Sequence, residues 1–317
     1  MKQKQKWLWG LAIAAAVAVG LLSWQLTQGR EGSRGVMVKV SNEHGTAYLL
    51  GSIHVGSKAM YPFNAAIADA MAQSDAFVFE CDTTSDKASA VTASRMAAQP
   101  DSLRAAVGDV LYETLSQACS KIGLDVSRFD SLKPWAVINS LAVYSTAAEM
   151  GTTNVSEAMA LGVESQVRKT ANQSGKPTLY LESLDEQLDA LESFSEPLQR
   201  YLLEGECRVI LDSASVTGMD ATIAEWPEWW RTGNDAAFAE SYLAGYLEAG
   251  HEAEGQEYHN TLVAERNARM AECIEALLDE GGTYFVTLGL LHMALPDESV
   301  VERLRQKGCT VEWISRP

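Results

Sequence analysis

The sequence predicts an α/β protein: a small mixed sheet, a large helical insertion and an N-terminal transmembrane helix. An apolar strand followed by Gly-x-x-His occurs near the start of the chain, ending at His54, and again near its end, at His292. Each is followed by a helical pattern and a second short apolar strand, the order of a βαβ unit. A third observation, an uncharged apolar stretch over residues 7–26, predicts the membrane helix.

The composition limits the classes of partner. The chain has 317 residues, 47% of them hydrophobic, and a formal net charge of −17. This apolar content is sufficient for a sizeable core. Binding to phosphate backbones needs clustered Lys and Arg, and the sequence has no such cluster. We therefore expect no nucleic-acid partner.

The N-terminus reads as a membrane anchor. Residues 1–6 form a stub with three lysines, residues 7–26 are long enough to cross about 30 Å of hydrocarbon as a helix, and residues 27–35 are a polar, glycine-rich linker. The lysines predict a cytoplasmic start, so residues 36–317 lie outside the cytoplasm of a single-pass cell-membrane protein. The alternative is a cleaved signal peptide, but the stretch is long for one and lacks a small-x-small cleavage site.

The first unit begins after the linker. Residues 36–40 and 47–50 flank a turn and predict a hairpin, whose second strand runs into Gly51. Apolar positions at helical spacing predict a helix over residues 62–74, and residues 76–79 form a short buried strand.

The last unit repeats this order, with a strand over residues 283–288, a helix over 298–306 and a strand over 310–314. A parallel crossover places the residues after each first strand at the carboxyl edge of the sheet. If the units pair, His54 and His292 converge from opposite ends of the chain.

The intervening region is predicted to be mostly helical. Glycines and prolines mark helix boundaries, and one short strand interrupts the helices. The predicted elements are helices over 104–122, 134–150 and 156–174, a strand over 178–181, and helices starting at 197, 219, 234 and 257, the last running to about 278.

Two carboxylates follow strands at the edge where the histidines are expected. Glu80 ends the strand of the first unit, and Glu182 follows the strand at 178–181. Two imidazoles with a carboxylate are a common set for a divalent transition metal that keeps a position open for water. The alternatives are that Glu80 caps the following turn and that Glu182 favours the N-terminus of the next helix.

Arg266 interrupts an apolar helical stripe. Its neighbours in the stripe are spaced by three or four residues, so the arginine faces inward. A buried guanidinium needs an anionic partner, which predicts contact with one of the carboxylates or with a substrate; the alternative is snorkelling to the helix edge.

Other motifs are absent or weak. His251 and His259 lack the His-Glu-x-x-His spacing and are predicted to lie in a solvated acidic loop. The five cysteines form no Cys-x-x-Cys pair, which disfavours a thiolate zinc site, and several are expected to be plain buried residues. No Gly-x-Ser-x-Gly elbow, phosphate loop or Gly-x-Gly-x-x-Gly occurs, which disfavours hydrolase-elbow, kinase and dinucleotide chemistry.

With these motifs the chain resembles the TraB/GumN family, which includes the Tiki membrane-anchored metalloproteases and the TraB-type inhibitors of bacterial peptide pheromones. The resemblance spans about residues 46–315. The family often has Gly-x-Asp in the helical region, where this chain has Glu164 in Gly-Val-Glu. The motifs that carry the resemblance are Leu50-Gly-Ser-Ile-His54, Phe79-Glu80, Gly175-Lys-Pro177, Leu181-Glu-Ser183, Glu186-Gln187, Glu265-Arg-Asn267, Leu288-Gly-Leu-Leu-His292 and Gly308-Cys-Thr-Val311.

The resemblance implies an α/β sheet with a metal-dependent hydrolytic centre. Manganese or cobalt are the favoured ions, with zinc and iron as alternatives. By motif, His54, Glu80 and His292 take the central roles, with Glu182 and Arg266 as neighbours.

The leading hypothesis is an outward-facing metal-dependent peptidase acting on a peptide or small-molecule substrate. His54, His292 and Glu182 hold the metal, Glu80 activates its water, and Arg266 stabilises negative charge on the intermediate. The roles of the two glutamates could be exchanged. The alternatives are a non-catalytic peptide-binding or sequestering protein and an ester hydrolase.

Overall fold

The computed structural model describes residues 32–215 and 220–315. The predicted transmembrane segment at residues 7–26, the stub before it and most of the linker lie outside these ranges. Within them, no helix combines the length and the apolar character that crossing a membrane would require.

The described residues form a mixed α/β fold around a six-stranded sheet with the order β4-β3-β5-β2-β1-β6. The four strands β4, β3, β5 and β2 are mutually parallel, whereas β1 is antiparallel to both of its neighbours. The prediction of a small mixed sheet is confirmed. The strands are β1 (Met37–Ser41), β2 (Gly45–Ser52), β3 (Ala76–Phe79), β4 (Thr178–Tyr180), β5 (Gly282–Gly289) and β6 (Thr310–Trp313).

The two Gly-x-x-His units pair, which is the condition under which the sequence predicts that His54 and His292 converge. Strands β2 and β5 are adjacent and parallel, with Gly51 opposite Leu288 and Ser52 opposite Gly289. Both strands therefore end together, and the segments that follow them leave the sheet at one edge. The strands are buried on both faces, as expected for parallel strands covered by helices.

Helices fill the chain between β3 and β5 and connect the outer strands. The α-helices are Ala65–Gln73, Asp86–Met96, Leu103–Val107, Asp109–Lys121, Pro134–Glu149, Val155–Ala160, Val163–Ser174, Leu184–Glu192, Glu196–Leu211, Trp226–Thr232, Asp235–Gly245, Glu252–His259, Glu265–Glu280, Leu290–Ala294 and Val300–Gln306. Short 3-10 turns occur at Lys58–Met60, Val126–Phe129, Ser213–Ser215 and Asp220–Glu225, and a π-helical turn occurs at Asn260–Ala264.

Two of the predicted helices are broken where the prediction had them continuous. The helix expected over 104–122 is interrupted at Gly108, which has φ of 82°. The helix expected over 156–174 is interrupted at Leu161 and Gly162, because this point packs against the backbone that follows β2. A helical pattern read from side chains does not register such a backbone contact.

The second break holds the loop that carries His54. The N–H of Val163 donates to the carbonyl of Ile53 at 3.0 Å, and the N–H of Gly56 donates to the carbonyl of Ala158 at 2.9 Å. A Cβ atom on Gly162 would lie 2.2 Å from the carbonyl oxygen of His54. The helical insertion therefore fixes the backbone of this loop through contacts that only glycine permits.

We expect Gly162→Ala to destabilise the protein by about 1–3 kcal/mol, since backbone atoms must move to admit the methyl group. The matched control is Gly205→Ala within helix Glu196–Leu211, where an added Cβ meets no heavy atom within 4 Å. That control should gain about 0.5–1 kcal/mol from helix propensity. Urea denaturation measures both; equal effects in the two variants would contradict the proposed backbone contact.

The core has two main parts. One surrounds the sheet, and its fully buried Trp230 donates from Nε1 to the carbonyl oxygen of Gly51 at 2.7 Å. The other lies within the helical insertion, between the helices Asp109–Lys121, Pro134–Glu149 and Glu196–Leu211. The insertion is thus a packed layer and not a set of loops over the sheet.

All five cysteines carry free thiols. Four of them are buried, namely Cys81, Cys119, Cys207 and Cys309, which confirms that several act as small apolar residues.

Candidate active-site cleft

A cleft of about 580 Å³ lies at the carboxyl edge of the parallel strands. His54, His292, Glu80 and Arg266 all line it, although they are far apart in the sequence. The structure therefore brings together four of the five predicted site residues on one surface. The fifth, Glu182, is buried behind Arg266 with 2% of its side chain exposed.

Arg266 lies at the centre of the buried group. Its Nε and Nη2 atoms donate to the two oxygens of Glu182 at 3.2 and 2.5 Å. Nη2 also donates to Oε2 of Glu80 at 2.6 Å, and Nη1 lies 3.1 Å from Nε2 of His292. The predicted burial of Arg266 against anionic partners is confirmed, and it has two such partners instead of one.

Glu80 projects from the end of β3 toward the neighbouring strand. Its second oxygen, Oε1, accepts the backbone N–H of Gly289 at 2.5 Å, at the end of β5. Burial alone raises the pKa of a carboxyl, but the charge of Arg266, the proximity of His292 and the Gly289 N–H outweigh it and lower the pKa of Glu80 to about 2. Glu80 is therefore a carboxylate at neutral pH.

The close approach at Gly289 depends on the absence of a side chain. A Cβ there would lie 3.2 Å from Cδ2 of His292 and 3.3 Å from Oε1 of Glu80. The glycine of the second Gly-x-x-His motif thus leaves space for both the histidine and the glutamate.

His292 is held in one tautomer by Asn267. The amide nitrogen of Asn267 donates to the carbonyl oxygen of Glu298 at 2.8 Å, so its oxygen faces His292 and lies 2.6 Å from Nδ1. The proton of the neutral imidazole is therefore on Nδ1, and the lone pair of Nε2 points toward Arg266. Such an oriented imidazole is typical of metal ligands and of catalytic bases.

The protonation of His292 agrees with this arrangement. Burial is the main reason that the pKa of His292 falls to about 4, and the attraction of Glu80 only partly opposes it. The ring is neutral at physiological pH, and the lone pair of Nε2 accepts Nη1 of Arg266.

His54 occupies the opposite, solvent-facing side. Its side chain is 74% exposed, and its Nδ1 lies 4.0 Å from Oε2 of Glu164. Glu164 is in turn paired with Arg168 at 2.8 Å, and Arg168 donates to the carbonyl oxygen of Cys81. Glu164, left without a role by the sequence, therefore connects the His54 side of the cleft to the end of β3.

Three further residues belong to the site and were not predicted from the sequence as functional. Asn267 orients His292, and Gln187 donates from Nε2 to both Glu80 and Glu182 at 3.3 Å. Arg168 packs its guanidinium over the ring of Phe79, 4.0 Å from the ring centroid. Two signals were available: Asn267 follows Arg266 directly and Gln187 follows the Ser183 capping box, and both residues lie in motifs that carry the family resemblance.

The buried group has an excess of negative charge. Two carboxylates, Glu80 and Glu182, face one guanidinium, Arg266, so their formal charges of −2 and +1 sum to −1. His292 is neutral and adds a lone pair. A low-dielectric site of this charge favours a further cation.

The donor chemistry fits a divalent transition metal. Imidazole nitrogens and carboxylate oxygens are ligands that manganese, cobalt, iron and zinc accept. Within the described ranges, however, no three histidine, cysteine, aspartate or glutamate side chains form a ready-made metal site. Arg266 occupies the position between His292, Glu80 and Glu182, so a metal ion requires its Nη1 to leave Nε2 of His292.

His259 does not lie in a solvated loop, and this prediction is wrong. It ends helix Glu252–His259 and is buried, with Nδ1 3.0 Å from the hydroxyl of Tyr242 and Nε2 2.9 Å from Oε2 of Glu298. The π-helical turn Asn260–Ala264 follows His259 and leads directly into the helix that carries Arg266. Helix-breaking glycines and acidic residues made this segment read as a loop, although tertiary packing keeps it helical.

A protein-family model described as TraB/PrgY/gumN family matches residues 36–313. The match covers both Gly-x-x-His motifs, both glutamates and Arg266. No curated protein and no solved structure matches the chain.

Proposed function

This chain belongs to the TraB/PrgY/gumN family, and from that premise we propose that it is a metal-dependent hydrolase whose substrate is a peptide. We further propose that residues 7–26 hold it at the cell membrane with the hydrolytic domain outside the cytoplasm.

One observation carries the proposal of a metal site. A neutral His292, whose proton Asn267 holds on Nδ1 and whose Nε2 lone pair faces Arg266, adjoins a buried group whose formal charge is −1. Glu80 and His54 line the same cleft. Buried negative charge beside an oriented imidazole is the environment in which proteins bind divalent cations.

We assign the metal to His54, His292 and Glu80, the three candidate ligands that line the cleft. Glu182 is not among the lining residues, and both of its oxygens accept from Arg266. In this assignment Glu80 takes the ligand role that the sequence had predicted for Glu182. Glu182 is then a positioning residue that holds the guanidinium of Arg266.

The remaining residues bind and orient. Arg266 presents its positive charge to the cleft, where it stabilises negative charge that develops on a substrate carbonyl oxygen. Gln187 bridges Glu80 and Glu182 and limits rotation of both carboxylates. Asn267 keeps the proton of His292 on Nδ1. A divalent ion, when bound, lowers the pKa of a coordinated water so that it can act as the nucleophile.

The metal content of the full-length chain tests this proposal. We expect about one manganese, cobalt, iron or zinc ion per chain by mass spectrometry after incubation with each ion. His54→Ala and His292→Ala should each lose the ion while staying folded by circular dichroism. His44→Ala, at the exposed β1–β2 turn, is the matched control and should keep it.

Cleavage of a peptide library by the metal-loaded chain, abolished by a chelator and restored by the metal, is the expected functional result. A parent protein that stays metal-free with all four ions overturns the metallohydrolase and leaves peptide binding as the function of the cleft. Metal binding combined with cleavage of esters but not of peptides overturns the peptidase assignment.

A further inference from the structure

A second cavity, of about 260 Å³, adjoins the cleft. Asn139, Ala142 and Leu262 line both spaces, so the two share a wall. Leu262 lies on the π-helical turn, and its carbonyl oxygen accepts Nη1 of Arg266 at 3.4 Å. Irregular turns of this kind occur often at functional sites. The cavity therefore lies next to the central residue of the cleft.

Aromatic rings form much of the cavity wall. They come from three helices and from residues that directly flank two of these helices. Two of the rings, Tyr242 and Tyr246, are stacked with centroids 5.2 Å apart and planes at 7°. Phe194 and Tyr258 pack against each other at 6.1 Å. Rings whose faces and edges surround a space of this size can hold an organic cation through the negative face of the π system. The aromatic lining residues are Phe194, Tyr201, Tyr242, Tyr246 and Tyr258.

The hydroxyl of Tyr242 is oriented by a hydrogen-bond relay through His259 to Glu298. Nε2 of His259 donates its N–H to the carboxylate of Glu298 at 2.9 Å, so Nδ1 of the neutral ring accepts a hydrogen bond from the hydroxyl of Tyr242. The oxygen of Tyr242 is then left with its lone pairs as acceptors. This arrangement favours a donor in the cavity over an acceptor.

The lining is rich in carboxyl groups. Glu206, Glu248 and Asp220 supply three carboxyl groups, and Arg208 supplies one guanidinium. Glu248 has its own partners, since Arg208 lies 3.6 Å away and the hydroxyl of Tyr201 donates to it at 2.8 Å. Glu206 accepts a hydrogen bond from the hydroxyl of Ser145 at 2.6 Å, and no ion pair joins it to a cation among the described residues. Glu206 is therefore a largely buried acid beside an open space.

The chemistry of these walls excludes two classes of ligand. An anion would meet the carboxyl groups and the tyrosine oxygen, which repel it. A purely apolar group would bury the Glu206 carboxyl further and offer it no polar partner beyond Ser145. A donor-rich cation satisfies the acid, the tyrosine oxygen and the aromatic faces together.

We propose that this cavity binds the guanidinium or ammonium head of a basic side chain, and that it selects peptides carrying arginine or lysine next to the bond positioned in the cleft. The second part rests on the proposed function. The first part, the binding of an organic cation beside Glu206, stands without it.

Burial also sets the pH at which Glu206 carries a charge. Desolvation raises the pKa of Glu206 to about 8, with Ser145 opposing and Asp220 adding to the shift. A bound cation removes this penalty because it favours the charged carboxylate.

Calorimetric titration of the full-length chain with butylguanidinium at pH 8 tests the first part. Butylurea, which has nearly the same shape without the charge, should bind at least about tenfold more weakly, a difference that one cation–π contact and one ion pair readily supply. Glu206→Gln should reduce butylguanidinium binding by a similar factor. Glu204→Gln, an exposed position on the same helix, is the matched control and should leave binding unchanged.

The folding of each variant is checked by its thermal melting curve, and Tyr246→Leu serves as a second cavity variant that should also weaken binding. Equal binding of butylguanidinium and butylurea, or undiminished binding in folded Glu206→Gln, overturns the cation site.

The second part is tested with paired peptides that differ only by arginine or citrulline. We expect the arginine peptide to bind at least about tenfold more tightly, and this preference to vanish in Glu206→Gln. Butylguanidinium binding without any preference between the peptides overturns the peptide assignment and leaves a site for a free organic cation. Because neither assay needs metal or turnover, failure of the hydrolase proposal is distinguishable from failure of this one.

Discussion

Replacing Arg266 with methionine is expected to lower the free energy of unfolding by about 3–5 kcal/mol. The methionine keeps most of the packing of the arginine stem but removes the guanidinium that joins Glu80 and Glu182. Two buried carboxylates then lie close together without a cation. Their repulsion and desolvation account for the loss.

The pH dependence of this variant gives a specific signature. The charge of Arg266 holds the pKa of Glu80 low, so without it this pKa rises and protonation of Glu80 relieves the repulsion. The destabilisation by Arg266→Met should therefore be largest at neutral pH and should decrease toward pH 4. Adding Glu182→Gln to Arg266→Met should recover part of the loss, because one carboxylate then remains instead of two.

The control for this prediction is Arg231→Met. Arg231 pairs with Glu228 one helical turn away, and both side chains are substantially exposed, so we expect a change of about 0–1 kcal/mol. Urea denaturation in the presence of a chelator measures all four proteins: the parent, Arg266→Met, the double variant with Glu182→Gln, and Arg231→Met. A cost below about 1 kcal/mol for Arg266→Met would show that the buried ion pairs contribute little.

Replacing Glu206 with glutamine is expected to stabilise the protein by on the order of 4–5 kcal/mol at pH 8–9, but by only about 1 kcal/mol at pH 5. The pKa of Glu206 is raised from 4.5 to about 8 in the folded state. A raised pKa means that the folded state binds the proton more tightly than the unfolded state does. Its contribution to stability is therefore complete below about pH 4.5 and is lost as the pH rises through 8.

Glutamine has nearly the shape of the protonated acid and does not ionise. The difference in the free energy of unfolding between the parent and Glu206→Gln therefore isolates the titration of Glu206. Contributions from Glu80 and His292, whose pKa values are lowered, are common to both proteins and cancel. Glu204→Gln, on the exposed side of the same helix, should show no such pH dependence. A difference between Glu206→Gln and the parent that is constant from pH 5 to 9 would contradict the raised pKa.

The paired units show how far the sequence reached. The alternation of strand, Gly-x-x-His, helix and strand predicted that β2 and β5 end at one edge, and their parallel pairing confirms it. Such patterns are readable because strand burial, turn glycines and helix caps depend on residues a few positions apart. The helix breaks at Gly108 and Gly162 were missed, since the second of them is set by the backbone of a distant loop.

The residues of the site also fall into two groups, those that the sequence identified and those that it missed. The sequence identified five residues of the site, because a histidine or glutamate at a strand end and an arginine within an apolar helical stripe are conspicuous. They are His54, His292, Glu80, Glu182 and Arg266. It did not identify Asn267, Gln187 or the Tyr242–His259–Glu298 relay. Asn267, Gln187, Tyr242 and His259 lie on helices whose local sequence is compatible with an exposed position, and Glu298 lies in the turn before the last helix. Only their packing partners reveal them.

The sequence by itself determined the class of the fold, the succession of strands along the chain and the residue types available at the sheet edge. The tertiary structure alone decided which of them touch. Arg266 reaches Glu80 across 186 positions of the chain, and Glu182 lies behind it while Glu80 faces the cleft. Short-range propensities act over a few residues, whereas the placement of a buried charge is decided by the whole arrangement of helices on the sheet, since that arrangement sets desolvation and the distance to each counter-charge.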